Sequence, residues 1–168
     1  MNRNHFLALL CVFALSTQAQ KKVEVDGRLQ PILQTFLSYC DRYGIDCHDK
    51  LFQLKRIAVT DTLPIAADNV VLGMVARNQE GSIDHILVNW IATLDDKILE
   101  VVSFHEFAHY FLDYAHTCEA CDEIMAVHNP SYFAVANDWE YQVAHLFTSS
   151  PVYQSLQQDL TLGSPPEK

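Results

Sequence analysis

Residues 104–116, "FHEFAHYFLDYAH", place three histidines and a glutamate in a strongly apolar segment. His105 and His109 are four residues apart, so on an α-helix their side chains project from one face, one turn apart. Glu106 is next to the first histidine, and His116 follows seven residues after the second. This spacing predicts a helix whose imidazoles bind a single metal ion.

A zinc ion with three protein ligands keeps a position for water and lowers the pKa of that water to about 7. Glu106 is then the candidate general base, which takes the proton from the zinc-activated water and passes it to the leaving amine. The alternative is an ordinary core helix on which histidines happen to lie close together. The metal interpretation is favoured because burial of unpaired titratable groups is unfavourable by several kcal/mol.

The third metal ligand is less constrained than the first two. His116 is the leading candidate because neutral imidazole suits zinc, and the helix must then end near Asp113 for the chain to return. Glu140, on a predicted C-terminal helix, is the competing ligand. We expect the other histidines of the exported chain to be surface or core residues: His48, His85, His128 and His145.

The first 19 residues have the features of a signal peptide. Arg3 precedes an apolar run at residues 6–15, and small or polar residues lead to a predicted cleavage after Ala19. The run is too short for a permanent membrane span, and an acylated Cys11 fits the flanking residues poorly. We therefore expect an exported protein, periplasmic or secreted, without stable membrane insertion.

The bulk composition is that of one folded domain. The 168 residues are 49% hydrophobic and 19% charged, which permits a sizeable core. The formal net charge of −10 argues against nucleic acid or an anionic membrane surface as a partner. The expected organisation is a signal peptide at 1–19, one catalytic domain at 20–160, and a flexible tail at 161–168.

Four cysteines remain after the predicted cleavage. An even number in an exported chain predicts two disulfides, and proximity favours Cys40–Cys47 and Cys118–Cys121. A structural zinc held by all four thiolates is the alternative, which an oxidising compartment disfavours. A redox C-x-x-C is a further alternative, but no βαβ context surrounds it.

The periodicity of apolar residues predicts an α+β fold, with a small twisted mixed sheet packed on helices. Thr93 is the expected N-cap of the helix that carries the histidines. The predicted elements, in chain order, are a helix at 28–43, strands at 54–60, 70–76 and 83–89, the histidine-bearing helix at 95–112 and a helix at 131–148.

The stretches "HEFAHYFLDYAH" and "DEIMAV" resemble the metzincin clan of zinc endopeptidases. The pattern of that clan is H-E-x-x-H-x-x-G-x-x-H, followed by a tight turn containing methionine. The chain is especially similar to small exported bacterial metzincin-like proteins, in which the third histidine comes one residue late. The resemblance covers roughly residues 83–148, and Leu112 stands in place of the glycine.

The resemblance implies a zinc peptidase that acts on a peptide or protein. It implies His105, His109 and His116 as ligands, Glu106 as general base, and Met125 beneath the metal. It also implies that the strand at 85–90 is an exposed edge that pairs with extended substrate. Two other interpretations stay open: a Glu-type zinc protease using Glu140, and a non-catalytic, zinc-stabilised binding module.

Overall fold

The structure is a computed structural model that describes residues 22–65 and 70–162. The predicted signal peptide and its cleavage near Ala19 lie outside these residues. Within the described residues, no helix combines the length and apolar character needed to span a membrane. The predicted tail at 161–168 overlaps the last helix, which continues to Leu162.

The described part of the chain contains a small mixed sheet and six α-helices, which confirms the predicted α+β class. The main sheet has the order β1-β2-β4-β3. The first three strands in this order are parallel, whereas β3 runs antiparallel to β4. The strands are β1 Glu24–Val25, β2 Arg56–Thr60, β3 Gly73–Arg77 and β4 Ile83–Asn89, with β5 Cys118–Ala120 and β6 Ala126–His128 in a separate two-stranded sheet.

The helices are α1 Gln30–Arg42, α2 His48–Gln53, α3 Asp96–Phe111, α4 Tyr132–Asn137, α5 Trp139–Thr148 and α6 Pro151–Leu162. The predicted helix at 131–148 is divided at Asp138 into α4 and α5. Helices α2 and α6 were not predicted from the sequence. Apart from these differences, the predicted helices and strands are confirmed within a few residues.

Helix α3 starts at a different cap from the one predicted. The Asp95 carboxylate accepts hydrogen bonds from the backbone N–H groups of Lys97 and Ile98, so Asp95 is the N-cap. Thr93 belongs to a preceding 3-10 turn, Trp90–Leu94, where its hydroxyl donates to the carbonyl of Trp90. The expectation of Thr93 as the cap was therefore wrong by two residues.

The core is built around α3, which packs against β3, β4, α1 and α4. Ten of its sixteen residues are buried. Phe36 of α1 is fully buried, and its ring lies 5.2–5.8 Å, between centroids, from four other aromatic rings. These four rings belong to Phe104, Phe107, Phe111 and Phe147. Phe36 therefore joins α1 to both α3 and α5.

One of the two predicted disulfides is present. Cys118 and Cys121 are bonded. Cys40 and Cys47 are free, buried thiols whose Sγ atoms lie 2.8 Å apart, so the predicted Cys40–Cys47 bond is not formed. A hydrogen bond with the Cys47 thiol and burial together raise the pKa of the Cys40 thiol, which disfavours the thiolate needed for disulfide exchange.

Replacing Phe36 tests the central position of this ring. We expect Phe36→Ala to lower the free energy of unfolding by about 3–5 kcal/mol, because it leaves a cavity between α1, α3 and α5. Denaturant unfolding measures the change. Phe52, a residue that is 38% exposed, provides the control, and Phe52→Ala should lower the free energy of unfolding by at most about 1 kcal/mol. Equal losses in the two variants would contradict this description of the core.

Candidate metal centre

Helix α3 presents His105 and His109 one turn apart, with Glu106 beside them. The two imidazoles are partly buried, and the Glu106 side chain is buried, with 5% of the residue exposed. Burial lowers the pKa of His105 to about 4, and burial also lowers the pKa of His109. Both rings are therefore neutral at pH 7, which is the form that binds a metal.

A sharp turn after α3 returns the chain toward these imidazoles. The helix ends at Phe111, and Asp113 adopts a left-handed conformation with φ of +52°. Asp113 is the one non-glycine residue with positive φ in the described part of the chain. The glycine of the metzincin pattern would stand at Leu112, so the turn occurs one residue later here. His116 also comes one residue late.

Backbone carbonyls orient two of the rings. His109 Nδ1 lies 2.6 Å from the carbonyl oxygen of Tyr114, and His105 Nδ1 lies 2.6 Å from the carbonyl oxygen of Ile124. A carbonyl oxygen can only accept a hydrogen bond, so each Nδ1 carries the proton. In the neutral rings, each Nε2 therefore presents a lone pair.

The three Nε2 atoms converge on one point. His105 Nε2 is 2.9 Å from His109 Nε2, and His116 Nε2 is 3.2 Å from both. Zinc–nitrogen bonds of about 2.0–2.1 Å at tetrahedral angles separate ligand nitrogens by about 3.3 Å, close to these distances. The lone pairs of His105 and His109 face each other with no proton between them, and a cation would turn this repulsion into attraction. The residues therefore fit a zinc ion.

The structure brings together all three predicted histidine ligands. They form one of two groups of potential ligands among the described residues. Glu140, the competing ligand, is exposed at the start of α5 and belongs to neither group. The second group is Cys118, Cys121 and Glu123, but the two sulfurs are bonded to each other and offer no thiolate. The four-thiolate alternative is not formed.

The segment that contains Met125 is hydrogen-bonded to the site. Met125 is 2% exposed, and its carbonyl oxygen accepts a hydrogen bond from the backbone N–H of Thr117 at 3.0 Å. The neighbouring carbonyl of Ile124 holds His105. The turn predicted from the resemblance is thus tied both to the segment that carries His116 and to a second ligand.

The Glu106 carboxylate lies directly against strand β3 at Gly73. A Cβ atom at Gly73 would come within 2.5 Å of Glu106 Oε1 and 2.8 Å of its Cδ. Only glycine therefore leaves room for this carboxylate. Burial raises the pKa of Glu106 to about 8. Gly73 was not predicted as a site residue, although an isolated glycine in a strand such as "VVLGMVA" signals a close backbone approach.

A cleft of about 520 Å³ opens over the histidines and Glu106. The cleft is also lined by the segment 70–75, which includes the start of β3, and by residues 126–129 and Tyr132. Burial, and secondarily the negative charge of Glu106, raise the pKa of Tyr132. Of the histidines outside the cluster, His128 lines the cleft and is exposed.

Strand β3 forms the edge beside this cleft. The strand predicted at 85–90 was expected to be the edge, but β4 lies between β2 and β3. That expectation was wrong, because strand order depends on pairing across the sheet and not on position along the chain. Among the described strands, β3 is the one that both lines the cleft and lies at the edge of the main sheet.

Comparisons with protein-family models, curated proteins and solved structures return no match for this chain.

Single substitutions test whether these residues bind zinc. We expect His105→Ala, His109→Ala and His116→Ala each to lower zinc affinity by more than about 100-fold, because each removes one nitrogen of the cluster. Glu140→Ala should leave the affinity unchanged. Titration of metal-free protein with zinc against a competing chelator measures all four. Loss of zinc in Glu140→Ala, with retention in His116→Ala, would contradict the proposed ligand set.

Proposed function

We propose that the protein is an exported, zinc-dependent metallopeptidase with a metzincin-like catalytic domain. One observation carries the proposal. Three imidazole nitrogens converge beside a buried glutamate, in a cleft bordered by an open strand edge. Ligands that served only to stabilise the fold would not require a buried carboxylate next to an accessible cleft.

When bound, a zinc ion with three protein ligands leaves a position for water, lowers the pKa of that water and polarises a substrate carbonyl. The Glu106 carboxylate is the proton acceptor: it takes the proton of the attacking water and transfers it to the leaving amine nitrogen. A nearby cation favours the charged form of this carboxylate, which opposes the effect of burial on its pKa.

The open edge of β3 provides a binding mode for extended peptide. The backbone N–H of Asn89 donates to the carbonyl of Leu72, so Leu72 and Asn89 form a hydrogen-bonded pair. Alternation along an antiparallel ladder then directs the backbone groups of Gly73 and Val75 away from β4, toward the cleft. A substrate strand can pair with these groups, and the main-chain bonds would supply affinity without requiring a particular sequence.

The walls of the cleft favour apolar substrate side chains. Aliphatic residues dominate the lining outside the histidine cluster, and they include Val70, Val71, Leu72, Val75, Val102 and Val127. An extended peptide with large apolar residues around the scissile bond is therefore the most suitable test substrate.

Export is part of the same proposal. The Cys118–Cys121 bond lies between His116 and Met125, and disulfides persist in oxidising compartments outside the cytosol. The bond therefore supports a periplasmic or secreted location, together with the signal-like residues 1–19.

Replacing the general base tests the mechanism. We expect Glu106→Gln to bind zinc normally but to hydrolyse an extended apolar peptide about 10²–10⁴-fold more slowly, because the amide cannot accept the proton. Fluorogenic peptide cleavage and zinc titration provide the two measurements. Glu140→Gln, the same substitution at an exposed site, serves as control and should cleave normally. If the wild-type protein binds zinc but cleaves no member of a broad peptide library, the non-catalytic binding module is the better description.

Substitution of Gly73 tests the position of the Glu106 carboxylate. The Cβ of Gly73→Ala would displace that carboxylate. A displacement of about 1 Å lowers the hydrolysis rate by about 100-fold. Zinc affinity should change little, since the three histidines lie outside the clash. A Cβ at Gly27 meets nothing within 4 Å, so Gly27→Ala is the matched control. Full activity in Gly73→Ala would contradict this role of Glu106.

A further inference from the structure

The C-terminal end of α3 contacts a lysine from a distant part of the chain. Lys50 Nζ, from α2, donates to the carbonyl oxygens of Tyr110 at 3.2 Å and Phe111 at 3.4 Å. It also forms an ion pair with Asp113 Oδ2 at 2.7 Å. The Tyr110 hydroxyl in turn donates to the Lys50 carbonyl oxygen at 2.7 Å. One ammonium group thus contacts both the helix end and the turn.

These contacts stabilise the end of α3 in two ways. The last carbonyls of a helix lack intrahelical partners, and a cation there also interacts favourably with the helix dipole. The left-handed conformation of Asp113 is unfavourable for a residue with a Cβ, and glycine usually occupies such positions. Lys50 donates hydrogen bonds to carbonyls of the last turn, and it binds the side chain of Asp113, the residue with positive φ.

The turn at Asp113 determines where two metal ligands lie. It directs the following carbonyl, that of Tyr114, onto His109 Nδ1 at 2.6 Å. The Tyr114 backbone N–H donates to the Ala108 carbonyl at 3.2 Å, which fixes the reversed direction of the chain. Two residues later, His116 Nε2 reaches the other two nitrogens. A change at Asp113 would therefore move His116, and it would also move the Tyr114 carbonyl that orients His109.

We propose that Lys50 is a positioning residue for the metal centre, and that it acts by holding Asp113 in the left-handed conformation that a glycine would otherwise supply. The inference rests on the proposed metal site. An exposed ion pair alone contributes little to stability. Lys50 differs from such a pair because its side chain is two-thirds covered and it also binds two backbone carbonyls.

The test compares Lys50→Met in two backgrounds. In the natural chain, we expect Lys50→Met to weaken zinc binding about 10-fold, as loss of an outer-shell partner does. The visible absorption of the cobalt(II)-substituted protein should change as well, because the ligand geometry is altered. In an Asp113→Gly background, the same substitution should change zinc affinity by less than about threefold, since glycine adopts this conformation without support. Lys50→Arg should restore most of the affinity.

The control is Lys55→Met, which removes another lysine with a 2.7 Å ion pair, to Asp84 of β4. It should leave zinc affinity and the cobalt spectrum unchanged. Melting of the metal-free proteins separates a positioning role from a general effect on stability. Lys50→Met should lower the melting temperature in both backgrounds. It should lower zinc affinity only in the natural background.

Three results would overturn the inference. Unchanged zinc affinity in Lys50→Met would show that the turn needs no support. An equal loss of affinity in the Asp113→Gly background would show a general structural role. Wild-type protein that fails to bind zinc would overturn the proposed function together with this inference, whereas the first two results leave the proposed function intact.

Discussion

Burial of α3 is the constraint on which the rest of this structure depends. The helix is enclosed by the sheet, α1 and α4, so its polar side chains lie where each polar atom needs a partner. Among the described residues, no buried side-chain nitrogen or oxygen lacks one. For His105 and His109, the partners are carbonyls from two separate loops, and these bonds turn the opposite nitrogens toward His116.

The features that could be predicted from the sequence are those with a local signal. The four-residue spacing of His105 and His109 places them on one face in any α-helix, and apolar periodicity marked α1, α3 and the main strands. Strand order carries no such signal, so the edge was assigned to β4 when it is β3. Thr93, the predicted cap, and Asp95, the observed one, are both favourable N-cap residue types. The 3-10 turn that places Thr93 before the helix has no equally clear sequence signal.

The groups that orient the site were missed for a different reason. Tyr114 and Ile124 act through their carbonyls, and every residue type has a carbonyl, so composition does not reveal this role. Lys50 lies about 60 residues from its acceptors, and only the folded chain brings them together. In the metzincin pattern, the glycine at which the chain bends corresponds to Leu112. In the structure the bend lies one residue later, at Asp113, and His116 also comes one residue later than in the pattern.

The open edge of β3 has a consequence for the solubility of the molecule. Unpaired backbone groups on an edge strand can template pairing between copies of a chain, which leads to sheet growth and aggregation. This edge is only five residues long, and its pairing with β4 shifts register between Ala76 and Arg77. The Arg77 guanidinium then turns back to donate to the Gly81 carbonyl, so a charge stands where the ladder ends. The strand can thus align one short segment, while its register shift and the charge at its end disfavour pairing between copies of the chain.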